Sequence, residues 1–150
     1  MIEFLATVII TVSSVVLFGY WFRYTCLLIL SAKTARDFAC EVASANQLGF
    51  LQVQSQLRED RADLGRLCDA LDRDYAVLTK LLREAGASTA DSPCIEKRML
   101  EINYRLTRAW YRASSQFSPA AARRALEEMS MMVAHFANSM GEQAASAAAA

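Results

Sequence analysis

The sequence predicts an all-α protein in which a single N-terminal transmembrane helix precedes a cytoplasmic antiparallel bundle of three to four helices. Three observations indicate this class. The chain opens with a long uncharged apolar segment, apolar residues then recur at helical spacing, and only two prolines and five glycines occur among 150 residues. The formal net charge is zero, so no overall field favours nucleic acid or an acidic substrate.

The first element is an uncharged segment of 19 residues, Phe4–Phe22. A helix of this length is roughly 28 Å long, close to the thickness of the hydrocarbon core of a bilayer. A second apolar patch, Cys26–Leu30, is too short to span alone but would lengthen a tilted helix. The sequence therefore divides into a transmembrane anchor over 1–32, a helical bundle domain over 33–141 and a low-complexity tail over 142–150.

The charges around this segment predict its orientation. Glu3 precedes it, whereas Arg23, Lys33 and Arg36 follow it. By the positive-inside rule, the N-terminus lies outside a bacterial-type inner or cell membrane and the rest of the chain is cytoplasmic. A cleaved signal peptide is the competing interpretation, but a basic n-region and a convincing small-residue cleavage site are missing. Four cysteines without a metal or redox spacing suit free thiols in a reducing compartment.

Two sets of residues in the anchor are candidate contacts. Thr7, Thr11 and Ser14 share one helix face, where small hydroxyl side chains allow close packing on another membrane helix. Alternatively, each hydroxyl bonds back to a carbonyl of its own helix. A second set is typical of the membrane interface: Tyr20, Trp21, Arg23 and Tyr24.

The strongest periodicity in the chain is a heptad row of leucines: Leu57, Leu64, Leu71 and Leu78. It predicts a helix from about Phe50 to Ala85, with Gly86 as its C-cap. A heptad row is typical of a coiled-coil seam. However, Asp60 and Asp74 occupy alternate positions of the same seam, which favours packing inside an antiparallel bundle.

Two Ser-Pro pairs, Ser92-Pro93 and Ser118-Pro119, indicate the starts of two further helices. The first is predicted to run to about Phe117 and the second to stop at Gly141. The first should bury an apolar row: Ile95, Met99, Ile102, Leu106, Ala109 or Trp110, Ala113 and Phe117. The second should bury another: Ala122, Leu126, Met129, Val133, Phe136 and Met140.

A basic and aromatic surface is predicted on the first of these helices. Seven basic residues and one acidic residue, Glu101, lie between Lys97 and Arg124. Two tyrosines are predicted to project opposite the apolar row. The candidate contacts with a partner or with lipid are Arg98, Tyr104, Arg105, Arg108, Tyr111 and Arg112. The alternative is a set of internal salt bridges to the acidic stretch from Glu59 to Asp74.

No catalytic, cofactor-binding or metal site is predicted. His135 is the only histidine, and a single imidazole without a second strong ligand makes a poor metal site. The serines have no base at a spacing that implies a triad. We therefore expect that the protein is not an enzyme, holds no cofactor and binds no nucleic acid, because no nucleic-acid-binding motif accompanies the basic residues.

The predicted function is that of a non-catalytic, single-pass accessory or scaffold subunit in a larger membrane complex of the respiratory or photosynthetic kind. Its partners would be other membrane protein subunits, contacted through the transmembrane helix and the cytoplasmic helices. The alternative is a membrane-tethered, coiled-coil-like adaptor or sensor that forms a homo-oligomer and recruits a cytosolic partner. The leucine row is the feature that would support this alternative.

Overall fold

The computed structural model describes residues 1–31, 37–59, 62–88 and 95–148, although not the side chains of 85–88. The described residues form helices and no strands, so the predicted all-α class is confirmed. The chain divides into two compact units, 1–32 and 33–150. The described residues form six helices: α1 Ile2–Ser31, α2 Ala39–Ala45, α3 Phe50–Gln56, α4 Leu64–Ser88, α5 Ile95–Ser114 and α6 Pro119–Ala148.

The first unit contains α1, a single helix of 30 residues. It is long and apolar enough to cross a membrane, and it is also compatible with a signal sequence because it lies near the N-terminus. The patch Cys26–Leu30 belongs to the same uninterrupted helix. The apolar segment is therefore longer than the 19 residues of its uncharged part, which suits a tilted span.

The second unit is built around α6, which contacts α2, α3, α4 and α5. Its apolar row is buried as predicted, except that Met140 is only partly covered. A fully buried Val, Leu, Phe or Met side chain stabilises a fold by roughly 1.5–3 kcal/mol, so this row contributes to the core. The buried members of the row are Ala122, Leu126, Met129, Val133 and Phe136.

The prediction that the last helix stops at Gly141 is wrong, because α6 continues to Ala148. Gly141 instead permits a close contact: a Cβ atom at this position would clash with the Cβ of Phe38. Next to this contact, the backbone N–H of Phe38 donates to Oδ1 of Asn138 at 2.7 Å. Gly141 therefore allows the chain just before α2 to lie directly against α6.

The single long helix predicted over 50–85 is also wrong, because α3 ends at Gln56 and α4 begins at Leu64. Asp63 caps α4, and its Oδ1 accepts hydrogen bonds from the backbone N–H groups of Gly65 at 3.1 Å and Arg66 at 3.3 Å. Arg123 on α6 donates to the carbonyl oxygens of Leu57 and Glu59 at 2.7 and 2.9 Å. These bonds satisfy backbone groups on both sides of the interruption.

The heptad leucines pack inside the chain. Leu57, Leu71 and Leu78 are buried, and Leu64 is partly covered. Leu57 directly follows α3, the other three leucines lie in α4, and both helices contact α6. Leu57, Leu71 and Leu78 therefore belong to the core of the second unit and do not form an exposed seam.

The Ser-Pro signal at the start of α6 is confirmed. Ser118 Oγ accepts a hydrogen bond from the backbone N–H of Ala121 at 3.3 Å, and Pro119 is the first helical residue. The other pair, Ser92-Pro93, lies outside the described residues. The predicted end of the preceding helix at Phe117 is three residues too late, because α5 ends at Ser114. The carbonyl of Ser114 accepts hydrogen bonds from the backbone N–H groups of Phe117 and Ser118, which form a turn after the helix.

Candidate interaction surface

The inward side of α5 is polar and aromatic, contrary to the prediction. Tyr104 and Tyr111 were expected to project outward, but their exposed fractions are 1% and 8%. Tyr104 stacks on Tyr75 of α4 with ring centroids 3.8 Å apart and planes inclined by 5°. Its hydroxyl donates to Asp72 Oδ1 at 3.1 Å. Both tyrosines therefore belong to the core and not to a contact surface.

A second polar contact fixes α5 against α6. Asn103 Nδ2 donates to Glu128 Oε1 at 3.1 Å, and the hydroxyl of Thr107 lies 3.4 Å from the same oxygen. Asn103 and Thr107 are each about 99% covered. Because buried polar groups are costly unless they are hydrogen-bonded, these contacts favour the inward position of Asn103 and Thr107.

The apolar row of α5 consequently faces outward, so the prediction that it would be buried is wrong. Ile102, Leu106 and Trp110 have exposed fractions of 44, 55 and 59%, and Ile95 at the start of the helix reaches 77%. Met99 is partly covered. Single exposed apolar residues are common, but a continuous row along a 20-residue helix is typical of a binding surface.

The four predicted arginines divide into two groups. Arg108 Nη2 lies 2.6 Å from Asp72 Oδ2, so the internal salt bridge that was the alternative interpretation forms at this residue. Arg98, Arg105 and Arg112 are exposed. None of these three forms a salt bridge with a carboxylate in the described part of the chain. At 100° per residue they lie along one edge of the exposed apolar row.

A groove adjoins this edge near the start of α5. Its volume is about 410 Å³, and four cationic side chains and one carboxylate surround it. The lining residues are Arg83 from α4 and Lys97, Arg98, Glu101, Ile102 and Arg105 from α5. The groove therefore combines a strong excess of positive charge with direct access to the apolar row at Ile102. Together, the outward apolar row and its arginines form what we call the α5 face: Ile95, Arg98, Ile102, Arg105, Leu106, Trp110 and Arg112.

The buried contact between α4 and α5 contains two ionisable side chains, the thiol of Cys68 and the phenol of Tyr104. Burial, together with the nearby carboxylate of Asp72, raises the pKa of the Cys68 thiol to about 11. Burial also raises the pKa of Tyr104 far above its usual value, and the same carboxylate adds to the effect. Both groups are therefore protonated at neutral pH. A protonated thiol is a poor nucleophile, and Cys68 is also buried.

The structure also describes the anchor residues. The hydroxyls of Thr7 and Thr11 donate to the carbonyl oxygens of Glu3 and Thr7, each at 2.8 Å. Each hydroxyl thus bonds to its own helix, but its oxygen can still accept a bond from a neighbouring helix. Tyr20, Trp21 and Tyr24 form mutual ring contacts with centroids 6.0–6.4 Å apart, and Arg23 lies exposed among them.

The described residues include no group of three or more His, Cys, Asp or Glu side chains placed to hold a metal ion. Comparisons with protein-family models, with curated proteins and with solved structures found no match to this chain. The surface described above is therefore the basis for the functional proposal.

Proposed function

We propose that this protein is a non-catalytic, single-pass accessory or scaffold subunit of a larger membrane complex. In this proposal α1 spans the bilayer with its N-terminus outside, and the helices of residues 33–150 form an antiparallel bundle in the cytoplasm. The excess of basic residues after the span supports the orientation. The bonds from Asn103 and Thr107 to Glu128 support the antiparallel course of α5 and α6, because the bonded residues lie at similar distances, about two to three helical turns, before and after the turn that joins the helices.

The observation that carries the proposal is the outward apolar row of α5 in a chain that also has a membrane-length apolar helix. A freely soluble bundle would place charged residues where Ile102, Leu106 and Trp110 are exposed. A domain held at a membrane can cover such a row with another component of that membrane. In this proposal α1 and the apolar row of α5 only bind other components, so the role is one of assembly and not of catalysis.

The alternative proposal, a self-associating adaptor, depends on the heptad leucines. Leu71 and Leu78 are fully buried within the chain. Self-association through this row would require α4 to leave the bundle, which would expose several leucines at roughly 1.5–3 kcal/mol each. The accessory-subunit proposal needs no such rearrangement and is therefore preferred.

The test begins with native membranes solubilised in mild detergent. We expect the tagged chain to migrate as a complex larger than its own dimer and to retain a defined set of integral membrane proteins. Replacing Thr7, Thr11 and Ser14 with leucine should release these proteins, because bulkier side chains prevent close helix approach. The matched control replaces Val8, Val12 and Val15 with leucine, at the same spacing on another face. A chain that migrates alone before any substitution would contradict the proposal.

A further inference from the structure

The α5 face has the composition of a helix that lies in a membrane interface. Such helices combine bulky apolar side chains on one side with arginines or lysines beside them. We propose that the α5 face binds the anionic surface of the bilayer, with lipid phosphates in the groove beside Arg98 and Arg105. This inference rests on the proposed function only in that α1 keeps the domain at the membrane. It names phospholipid, not a protein subunit, as the component that covers α5.

The apolar part of the face fits the region where headgroups meet acyl chains. Ile102, Leu106 and Trp110 are exposed along successive turns, so all three can enter the membrane together. Interfacial helices bury such a face by about 5–10 Å. Tryptophan suits this depth because its ring is apolar and its indole N–H can remain near water and headgroups.

The charged part of the face fits anionic headgroups. Arg98, Arg105 and Arg112 form no salt bridge with the described carboxylates, unlike Arg108, which pairs with Asp72. Their position at the edge of the apolar row lets the stems lie on apolar surface while the guanidinium groups reach phosphate. The four cations around the groove offer several donors to one lipid phosphate, against the single carboxylate of Glu101.

A second copy of this chain fits the face less well. Antiparallel pairing of two α5 rows about a two-fold axis would place the two arginine edges on the same side, where like charges repel. Parallel pairing would place the arginine edge of each α5 against the opposite edge of the other copy's apolar row, the edge without these arginines. Glu96 is the only carboxylate that α5 has near that edge, so three arginines would face one acid.

The test uses the full-length chain, one copy per lipid nanodisc. The substitution Trp21→Phe leaves Trp110 as the single tryptophan. One set of discs contains phosphatidylcholine alone, and the other contains about one third phosphatidylglycerol, an anionic lipid. In the anionic discs we expect Trp110 emission to shift to shorter wavelength, iodide quenching to fall several-fold, and lipids brominated on their acyl chains to quench it.

The triple substitution Arg98→Gln, Arg105→Gln and Arg112→Gln should remove these effects. Each basic residue near an anionic surface contributes about fivefold, so the ratio of bound to released α5 should fall by about 100-fold. The matched control, Arg58→Gln, Arg66→Gln and Arg124→Gln, removes the same charge from exposed positions on other segments and should retain them. Circular dichroism of both triple variants verifies that they are folded.

Two results would overturn the inference. Trp110 could remain equally accessible to iodide in both kinds of disc, which would show that lipid does not cover the face. Alternatively, Trp110 could be shielded from iodide but not quenched by brominated lipid, which would show that other residues of the chain, and not lipid, cover the face. Because the discs contain no partner protein, either failure is separate from failure of the accessory-subunit proposal.

Discussion

The rings of Tyr75 and Tyr104 stack with their centroids 3.8 Å apart, and the hydroxyl group of the stacked Tyr104 donates a hydrogen bond to Asp72. One side chain thus makes both an aromatic and a charge-assisted contact from α5 to α4. The contact holds the tyrosine side of α5 inward and leaves Leu106 and Trp110 outside.

The first prediction concerns which side of α5 is directed toward the core. Tyr104→Ala should lower the free energy of unfolding by roughly 3–5 kcal/mol, because it removes a large buried ring. Tyr104→Phe keeps the stack and loses only the hydrogen bond to Asp72, at about 1–3 kcal/mol. Trp110→Ala, the control, should change stability by no more than about 0.5 kcal/mol. Urea unfolding of the full chain in mild detergent measures all three, and equal losses at 104 and 110 would show the facing to be wrong.

The second prediction concerns the contact between Phe38 and Gly141. Alanine normally stabilises a helix interior by up to about 1 kcal/mol relative to glycine. Gly141→Ala should instead destabilise by about 1–3 kcal/mol, because its Cβ would clash with Phe38. Gly65→Ala in α4 is the matched control, since its nearest neighbour, Asp63 Oδ1, would lie 3.4 Å away.

A double-mutant cycle isolates this contact. In the background of Phe38→Ala, the Gly141→Ala substitution should lose most of its destabilising effect, because the clashing ring is absent. Thermal unfolding of the four chains gives the coupling energy. Additive effects would mean that Gly141 and Phe38 do not touch.

The third prediction concerns Gln47, whose φ of 53° lies in the left-handed region. It follows α2, and the next backbone N–H, that of Leu48, bonds to the carbonyl of Ala43 at 2.9 Å. Glycine adopts this conformation without a steric penalty, so Gln47→Gly should stabilise the fold by about 1 kcal/mol. Gln52→Gly, within α3, should destabilise by a similar amount. A loss of stability at both positions would contradict the left-handed turn.

The fourth prediction concerns the pH dependence contributed by Asp74. Burial raises the pKa of its carboxyl in the folded chain, although backbone N–H groups of Gly49 and Phe50 partly oppose this effect. The folded state therefore binds the proton more tightly than the unfolded state. The contribution of Asp74 to stability is greatest below the unfolded pKa, about 4, and is lost as pH rises through the folded pKa.

Asp74→Asn removes this titration. The wild-type chain should become less stable as pH rises above about 4, and the part of this decrease that comes from Asp74 should be absent in the variant. Urea midpoints measured across this range compare the two chains, and Asp69→Asn, on the exposed side of α4, serves as the control. If Asp74→Asn increased the dependence on pH, the direction of the pKa shift would be wrong.

The sequence was sufficient to predict elements whose burial follows periodicity. The row of α6 is buried because several helices surround that helix, and the Ser118-Pro119 start needs only local capping. The facing of α5 could not be read in this way. Its inward residues, Asn103 and Tyr104, are stabilised by Glu128 and Asp72, which are 25 and 32 positions away.

Local signals for the remaining differences were present but ambiguous. Asp63 before Leu64 is a good N-cap, yet the uninterrupted leucine row favoured one long helix. Gly141 resembled a helix stop, but a glycine that permits a close contact has the same sequence signature. Of the predicted contact residues, Arg98, Arg105 and Arg112 remain on the surface, whereas Tyr104 and Tyr111 do not.

The position of the bundle domain at the cytoplasmic side of a membrane is the central claim. Cys40 is the suitable reporter because it is exposed, whereas Cys68 is buried and its pKa is raised to about 11. In a variant that retains only Cys40, a membrane-impermeant maleimide should label the chain only after the cell membrane is opened. Labelling of Cys40 in intact cells would contradict the claim.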